Sequence, residues 1–450
     1  MEYNEVKNED NLLKETRTYD VFYRSITSIQ AIAIIGVIIF HIGDISSLRL
    51  SSNIMISTTF EIIESSVDVF IFLSGMLLTI GLMRKASSKI AWGKWYKKRI
   101  VRIYPLLIIS TFGFLLSRLY ISGEIFSIHS VLNHMSGLQS IPTNPDFFKI
   151  APPHWYITLI LGCYLLFPVF FYVIRKNAKL ATIIAFIIYL SYLFFANTFF
   201  EISADFTLLI FNRNLDLWYY SLFTLRFILF FFGALFGFWI GSDPKRIEIL
   251  EKRWVGIVSF VGLLFVISLY FLFPITNSTL LDFRRILYHM LIPIFFFIFS
   301  IYFFSKLKRI NTLLEIPGKA SYEIYLFHLI FIEIMYYKII EYFSLHDNFS
   351  EIYFLLIPIL TVVSIILTVP FYLTGRFFQN EEKTHKTILF ISFSLIFYAL
   401  IVFLFKLDTG MNNLISTFLF GTIILAFIVF YYLFLYLNKS KNEKSYFAAI

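Results

Sequence analysis

Long apolar runs dominate the sequence and restrict its fold more than any other feature. Twelve stretches of roughly 20 residues follow one another, each long enough to cross the hydrocarbon core of a bilayer as a helix. Because water is absent from that core, the backbone must satisfy its own hydrogen bonds, which leaves helices or closed barrels. The residue alternation of a membrane-barrel strand does not occur in the sequence. We therefore predict an all-α integral membrane protein, a polytopic helix bundle.

The twelve predicted segments cover residues 25–43, 62–83, 103–121, 154–174, 180–200, 218–240, 254–273, 286–305, 320–340, 352–374, 387–405 and 414–437.

The charged residues support this prediction and indicate an orientation. Only 15% of the 450 residues are charged, whereas a soluble domain has about 25%. With the N-terminus in the cytoplasm, 29 of the 38 Lys and Arg fall on the cytoplasmic side of the predicted segments. That bias obeys the positive-inside rule. We expect a multi-pass protein of the cell membrane with both termini in the cytoplasm, surrounded by membrane lipids. The net charge of +9 reflects this topology, so we expect no nucleic-acid partner.

The polar segments suggest how the chain is organised. Residues 1–23 are polar and form a predicted N-terminal cytoplasmic tail, and residues 438–450 form a C-terminal one. The connection 84–102 is basic and contains two Trp and one Tyr, which suits a helix lying at the cytoplasmic interface. The longest outer loop is predicted at 122–153. With a single cysteine, Cys163, the chain can form no intrachain disulfide.

Four motifs, in chain order, resemble one known family. They are a first helix over 26–41 ending in His41, SSVDVFIFLSGMLLT at 65–79, WYKKRIVRIYPLL at 95–107 and SYEIYLFHLI at 321–330. Together they resemble the membrane-bound acyltransferase-3 family, whose members transfer acyl groups from acyl-CoA to surface carbohydrates.

The resemblance implies a ten-helix acyltransferase domain over 24–375, without a fused esterase-like domain. Two additional transmembrane helices would follow in 376–437. Weaker echoes of the family lie at 154–168 and 225–237.

The chain departs from the family pattern at the start of helix one. The family usually has an Arg eleven residues before the helix-one histidine, where this chain has Gln30. Arg24 lies six residues earlier, about 120° further around the helix, so it cannot substitute for that Arg. A Glu pair frequent in helix four is replaced by Ile160 and Leu161.

The resemblance also implies a reaction and its catalytic residues. An acyl group would pass from cytoplasmic acyl-CoA to a hydroxyl of an extracytoplasmic carbohydrate or lipid-linked glycan. We expect this group to be acetyl. A hydroxyl needs a base to remove its proton, and histidine is the usual base near neutral pH. We assign that role to His41, with Asp68 holding its imidazole. A His–Asp pair is alternatively explained as a structural hydrogen bond between helices. Arg226 or Arg118 would stabilise the oxyanion or bind the acceptor.

The depths of the ionisable residues agree with such a site. At ~1.5 Å per residue, five groups fall into one layer in the outer third of the bilayer. They are His41, Asp68, Arg118, Arg226 and His289. Intramembrane ionisable groups are costly and therefore candidate site residues. His289 matches no motif, and we expect it to serve packing or to snorkel towards the interface.

The donor would bind at the cytoplasmic side. We expect Arg99, Arg102 and Arg84 to hold the phosphates of acyl-CoA, because a guanidinium binds phosphate with two hydrogen bonds. Four further residues would line the route of the pantetheine arm: Gln30, Ser74, Gly75 and His328. His328 is equally explained as a hydrogen-bonding residue of the core. Ser74 and its neighbour Gly75 are equally explained as small residues at a helix contact. No pair of histidines has metal-ligand spacing with a carboxylate partner, so we expect no metal.

Two other functions fit parts of the pattern. Twelve helices with both ends inside is also the layout of a transporter, although no pseudo-symmetry of halves is visible. A catalytically silent acyltransferase relative is the other alternative, because of Gln30.

Overall fold

The structure, a computed structural model, is helical throughout the part of the chain that it describes. It describes residues 2–46, 53–84, 90–139, 150–194, 217–272, 278–343, 357–368 and 371–372. These residues form helices joined by turns, and no strand occurs among them. The all-α prediction agrees with this architecture.

The helices, in chain order, are α1 (Glu2–Ile45), α2 (Ile54–Glu64), α3 (Ser66–Met83), α4 (Trp92–Ile121), α5 (Ile128–Met135), α6 (Trp155–Lys176), α7 (Ala178–Phe194), α8 (Leu217–Ser242), α9 (Lys245–Leu250), α10 (Arg253–Leu272), α11 (Ser278–Lys306), α12 (Lys308–Lys319), α13 (Ser321–Phe343) and α14 (Ile357–Thr368). A 3₁₀ turn, Pro152–His154, precedes α6.

Five described helices are long and apolar enough to cross a membrane: Thr18–Ile45, Met55–Met83, Trp92–Ile121, Pro152–Lys176 and Leu287–Lys306. Shorter apolar helices cover Ala178–Ser191, Arg226–Ser242, Arg253–Leu269 and Ile357–Thr368. The protein is thus a multi-pass membrane protein. The two last predicted segments, 387–405 and 414–437, lie outside the described residues, so a ten-helix core with two added helices stays a prediction.

The described part of the basic stretch is continuous with the helix of the third predicted segment. Residues 92–102 are the first turns of α4, which continues to Ile121 with Pro105 inside it. Membrane helices tolerate an internal proline because nearby groups satisfy the freed carbonyl. The basic residues therefore lie on the same continuous helix as the apolar span.

The chain divides into two compact units. The first unit contains α1 to α3 and α6 to α12. Its most extensive helix contact among the described residues joins α3 to α8. A methyl group added to Gly75 would come 2.1 Å from the Phe230 carbonyl oxygen, and one added to Gly233 would come 2.1 Å from that of Phe72. Small residues allow this approach of two backbones, a common device in membrane bundles.

These contacts also give the helix directions in the first unit. Gly233 faces Phe72, and Gly237, one turn later on α8, faces Met76, one turn later on α3. The two helices therefore run parallel. The Phe297 ring of α11 lies 5.3 Å from the Phe72 ring, so α11 packs against the same helix. Three helices thus meet around one aromatic core.

Helix α1 is anchored to α12 within the same unit. Ser28 donates a hydrogen bond to the Asn311 side-chain oxygen at 2.7 Å, with both residues buried. Gly318 packs directly against the Thr27 carbonyl.

The second unit contains α4 from Gly93 onward, α5, the 3₁₀ turn, α13 from Tyr322 onward, and α14. Two tyrosine hydroxyls connect its helices. Tyr322 donates to the Ile103 carbonyl of α4 at 3.0 Å, and Tyr325 donates to the Pro153 carbonyl at 2.6 Å. These are the two tyrosines of the fourth motif, and both contacts hold α13 in place.

The contact between α3 and α8 predicts a clear difference between two glycine substitutions. We expect Gly75→Ala to lower the free energy of unfolding by about 1–3 kcal/mol, because the added methyl overpacks a tight contact. Gly93→Ala is the matched control, since nothing lies within 4 Å of a methyl group there. Thermal unfolding of the purified variants in detergent measures the difference. Equal stability of the two variants would contradict the close packing.

Candidate functional site

A buried carboxylate binds two side chains from two other helices. Asp68 lies in the first turn of α3 and is completely buried. Its Oδ1 accepts a hydrogen bond from Arg226 Nε of α8 at 2.8 Å. Its Oδ2 lies 2.5 Å from His289 Nδ1 of α11. We call Asp68, Arg226 and His289 the Asp68 cluster.

The electrostatics of the cluster explain how a charge can be buried there. A lone ionised carboxylate in an apolar interior is very costly unless it is paired and hydrogen-bonded. Asp68 has both partners, and the helix N-terminus adds a favourable partial positive charge. Arg226, which is 2% exposed, also places its guanidinium 4.5 Å above the Trp155 ring of α6. Four helices of the first unit therefore contribute to one polar centre.

The geometry of His289 assigns its ring nitrogens. An ionised carboxylate can only accept hydrogen bonds, so the Nδ1 facing Asp68 must carry the proton. In the neutral ring, Nε2 then carries a lone pair. Nε2 is buried and has no hydrogen-bond partner in the part of the chain that the structure describes. We expected His289 to serve packing or to snorkel, whereas the structure shows its side chain in contact with Asp68. The sequence feature that indicated this contact was the predicted depth of His289, which is the same as that of Asp68.

Asp68 contacts Arg226 and His289, and His41 is not among its hydrogen-bond partners in the described chain. The pairing of His41 with Asp68 stays a prediction, as does a role of His41 in the reaction. Its side chain is half-buried on α1, as is that of Gln30. Eleven residues apart, they lie on one face of the helix.

Two other predicted site residues of the first unit, Arg84 and Ser74, lie outside the Asp68 cluster. Arg84 is exposed at the C-terminal end of α3, with its guanidinium 4.8 Å above the Tyr19 ring. Ser74 is half-buried on α3. Its neighbour Gly75 makes the contact with α8 described above, so the packing interpretation accounts for Gly75.

In the second unit, the predicted phosphate-binding residues lie on the first turns of α4. Arg102 is exposed, and so are Lys97 and Lys98. Arg99 is half-buried, with its guanidinium 5.5 Å from the Trp95 ring. The basic motif thus presents cations at one end of a long apolar helix.

The interior of the second unit holds further polar groups. His328 is completely buried, and its Nδ1 lies 2.8 Å from the Tyr325 carbonyl oxygen. Arg118 donates a hydrogen bond from Nη2 to Glu333 at 2.8 Å. The sequence reasoning missed Glu333, although a glutamate inside the apolar 320–340 segment marked it.

Comparison with known proteins places the chain in a family. A family model described as an acyltransferase domain matches residues 23–373. That stretch contains all four motifs and the whole Asp68 cluster. No curated protein and no solved structure matches the chain.

The Asp68 cluster predicts a strong energetic coupling. Arg226→Met should lower the free energy of unfolding by about 3–5 kcal/mol, because it leaves a buried carboxylate without its cation. Asp68→Asn combined with Arg226→Met should cost less than the sum of the single substitutions. A double-mutant cycle by thermal unfolding in detergent measures this coupling. Arg24→Gln, which breaks an exposed pair with Asp20, is the control and should change stability by less than about 0.5 kcal/mol. Additive effects at Asp68 and Arg226 would contradict the assigned ion pair.

Proposed function

The chain belongs to the acyltransferase-3 family, and we propose that it transfers an acyl group from cytoplasmic acyl-CoA to a carbohydrate hydroxyl outside. Acetyl is the proposed acyl group, and a surface glycan or lipid-linked glycan is the proposed acceptor. The observation that carries the proposal is the Asp68 cluster, a buried group of acid, base and cation inside the matched stretch. Groups of this kind concentrate at sites of acid-base chemistry.

The chemistry of ester formation matches the groups in the first unit. Attack of a hydroxyl on a thioester needs a proton acceptor for the hydroxyl and hydrogen-bond donors for the carbonyl oxygen, which becomes negative. Arg226 uses only Nε on Asp68, and a guanidinium has four more N–H groups on its terminal nitrogens. We propose that these donors stabilise the oxyanion.

His41 enters the proposal through its motif. An imidazole at this position can hydrogen-bond the acyl carbonyl or the acceptor hydroxyl. We propose that His41 acts on the substrates directly, in the reacting centre.

The donor would be held mainly by cations on α4. Arg99 and Arg102 carry the family motif, and exposed Lys97 and Lys98 add positive charge beside them. Charge-assisted hydrogen bonds to phosphate are roughly twice as strong as neutral ones. In the proposed orientation, with both termini cytoplasmic, these residues and Arg84 face the pool of acyl-CoA.

The proposed path of the pantetheine arm runs from those cations into the bilayer. Gln30, Ser74 and His328 are the residues proposed along it.

A catalytically silent relative is the second candidate, because Gln30 replaces a charged residue of the family pattern. An amide retains hydrogen-bonding capacity but lacks the charge and the planar fork of Arg. Binding of acetyl-CoA by the purified protein separates the candidates, since only the active enzyme must bind it.

We predict that His41→Ala lowers acylation by at least about 10²-fold, the usual effect of removing a catalytic hydrogen-bonding group. Mass spectrometry of surface glycans measures acylation in a deletion strain complemented with each variant. His129→Ala, which removes an exposed histidine of α5, is the matched control and should behave as wild type. Wild-type acylation by His41→Ala at equal expression would remove His41 from the reacting centre.

We also predict that replacing Arg99 and Arg102 by Glu weakens acetyl-CoA binding tenfold or more for each position. Each lost charge-assisted hydrogen bond contributes roughly 1.5–3 kcal/mol. Isothermal titration of the purified protein with acetyl-CoA gives the affinity. The same reversal at Lys97 and Lys98 controls for the general loss of positive charge. If both double variants lose affinity equally, the motif acts only through its net charge.

A further inference from the structure

We propose that His289, held by Asp68, takes the place of His41 as the general base that removes the proton of the acceptor hydroxyl, so that His41 acts by hydrogen-bonding the substrates. This inference rests on the proposed acyl transfer and adds a catalytic residue that no motif identifies.

The ring of His289 is oriented by Asp68. Asp68 Oδ2 binds the Nδ1 side of His289 at 2.5 Å, so the neutral ring presents the lone pair of Nε2 on its far side. A carboxylate that holds one ring nitrogen keeps the other available as a base and stabilises the imidazolium that forms. Arg226 fixes the other oxygen of the same carboxylate at 2.8 Å, which keeps Asp68 in place.

The second ring nitrogen of His289, Nε2, lacks a hydrogen-bond partner among the described residues. The side chain is 1% exposed, and Nε2 meets no hydrogen-bond donor among the described residues. Leaving a buried acceptor unsatisfied costs about 1–3 kcal/mol. A substrate hydroxyl that donates to Nε2 would remove that cost and would be positioned for deprotonation.

A comparison with other buried histidines supports a special role. His134 and His328 direct Nδ1 at backbone carbonyls of Ser130 and Ile324, four residues earlier on their own helices. A neutral carbonyl orients a ring but stabilises its charged form weakly. In His289 the partner is instead a carboxylate from a different helix.

The position of Asp68 favours the same assignment. When His289 accepts a proton, the Asp68 carboxylate is in contact with the new positive charge.

The proposed acyl transfer conserves atoms and charge. The O–H bond of the acceptor breaks, its proton moves to His289 Nε2, and the oxygen bonds to the acyl carbonyl carbon. The C–S bond of the thioester then breaks, and the CoA sulfur leaves with the electron pair. The imidazolium returns its proton to that thiolate. The products are the ester and CoA thiol, with His289 neutral again.

Chemical rescue tests the base directly. Membrane vesicles from cells that make their own glycans are supplied with radiolabelled acetyl-CoA, and label in the glycan is measured. His289→Ala should lower the rate by roughly 10²–10⁴-fold while its binding of acetyl-CoA stays unchanged. Added imidazole should restore the rate at least tenfold, because it can occupy the space that the ring leaves. Imidazole should not change the rate of the His129→Ala control.

A second variant keeps the test decisive if His289→Ala does not fold. His289→Gln retains an amide N–H for Asp68 but offers no basic nitrogen, so it should bind acetyl-CoA and transfer at least about 10²-fold more slowly.

Three results would count against the account, in distinguishable ways. A rate within a few-fold of wild type in either variant would overturn the role of His289. So would a loss in His289→Ala that imidazole does not reverse in protein that still binds acetyl-CoA. Wild-type protein that neither binds acetyl-CoA nor labels glycan would overturn the proposed function itself, and the inference with it.

Discussion

The cost of burying one carboxylate governs the arrangement of the first unit. Asp68 has no contact with solvent and lies within a segment apolar enough to span a bilayer. Such a group is tolerated only when a cation and hydrogen-bond donors surround it. Arg226 and His289 supply these donors from two other helices, and Trp155 covers the face of the guanidinium. Removing Asp68 would therefore leave several helices with unmatched polar groups.

The packing of the backbones makes this arrangement possible. Gly75 and Gly233 allow α3 and α8 to touch along their length, which brings Asp68 and Arg226 to the same level of two parallel helices. The Phe297 ring of α11 packs beside Phe72 and so holds the helix that carries His289. Close packing thus positions the charged groups, and the charged groups in turn fix the register of the helices.

Much of this protein could be predicted from its sequence, and the remainder depended on contacts between distant segments. Apolar run length predicted the helices, and four ordered motifs predicted the family that the comparison confirmed. Rise per residue placed Asp68, Arg226 and His289 at one depth. It could not tell which of them touch, because depth along a helix carries no information on rotation or neighbours. The motif therefore paired Asp68 with His41, whereas the structure pairs it with His289. The ion pair between Glu333 and Arg118 could not be predicted for a similar reason, because the two residues lie 215 positions apart in the sequence.

The account depends most directly on the state of one ring, His289 held through Nδ1 by Asp68 with a free lone pair on Nε2. Solid-state NMR of the wild-type protein, with ¹⁵N-labelled histidine in bilayers at neutral pH, reports the protonation of each ring nitrogen. Comparison with the spectrum of His289→Gln assigns the signals of His289. We expect a protonated Nδ1 with a deshielded, strongly hydrogen-bonded proton, and an unprotonated Nε2. A neutral ring with its proton on Nε2, or a ring protonated on both nitrogens, would contradict the assignment of His289 as the general base.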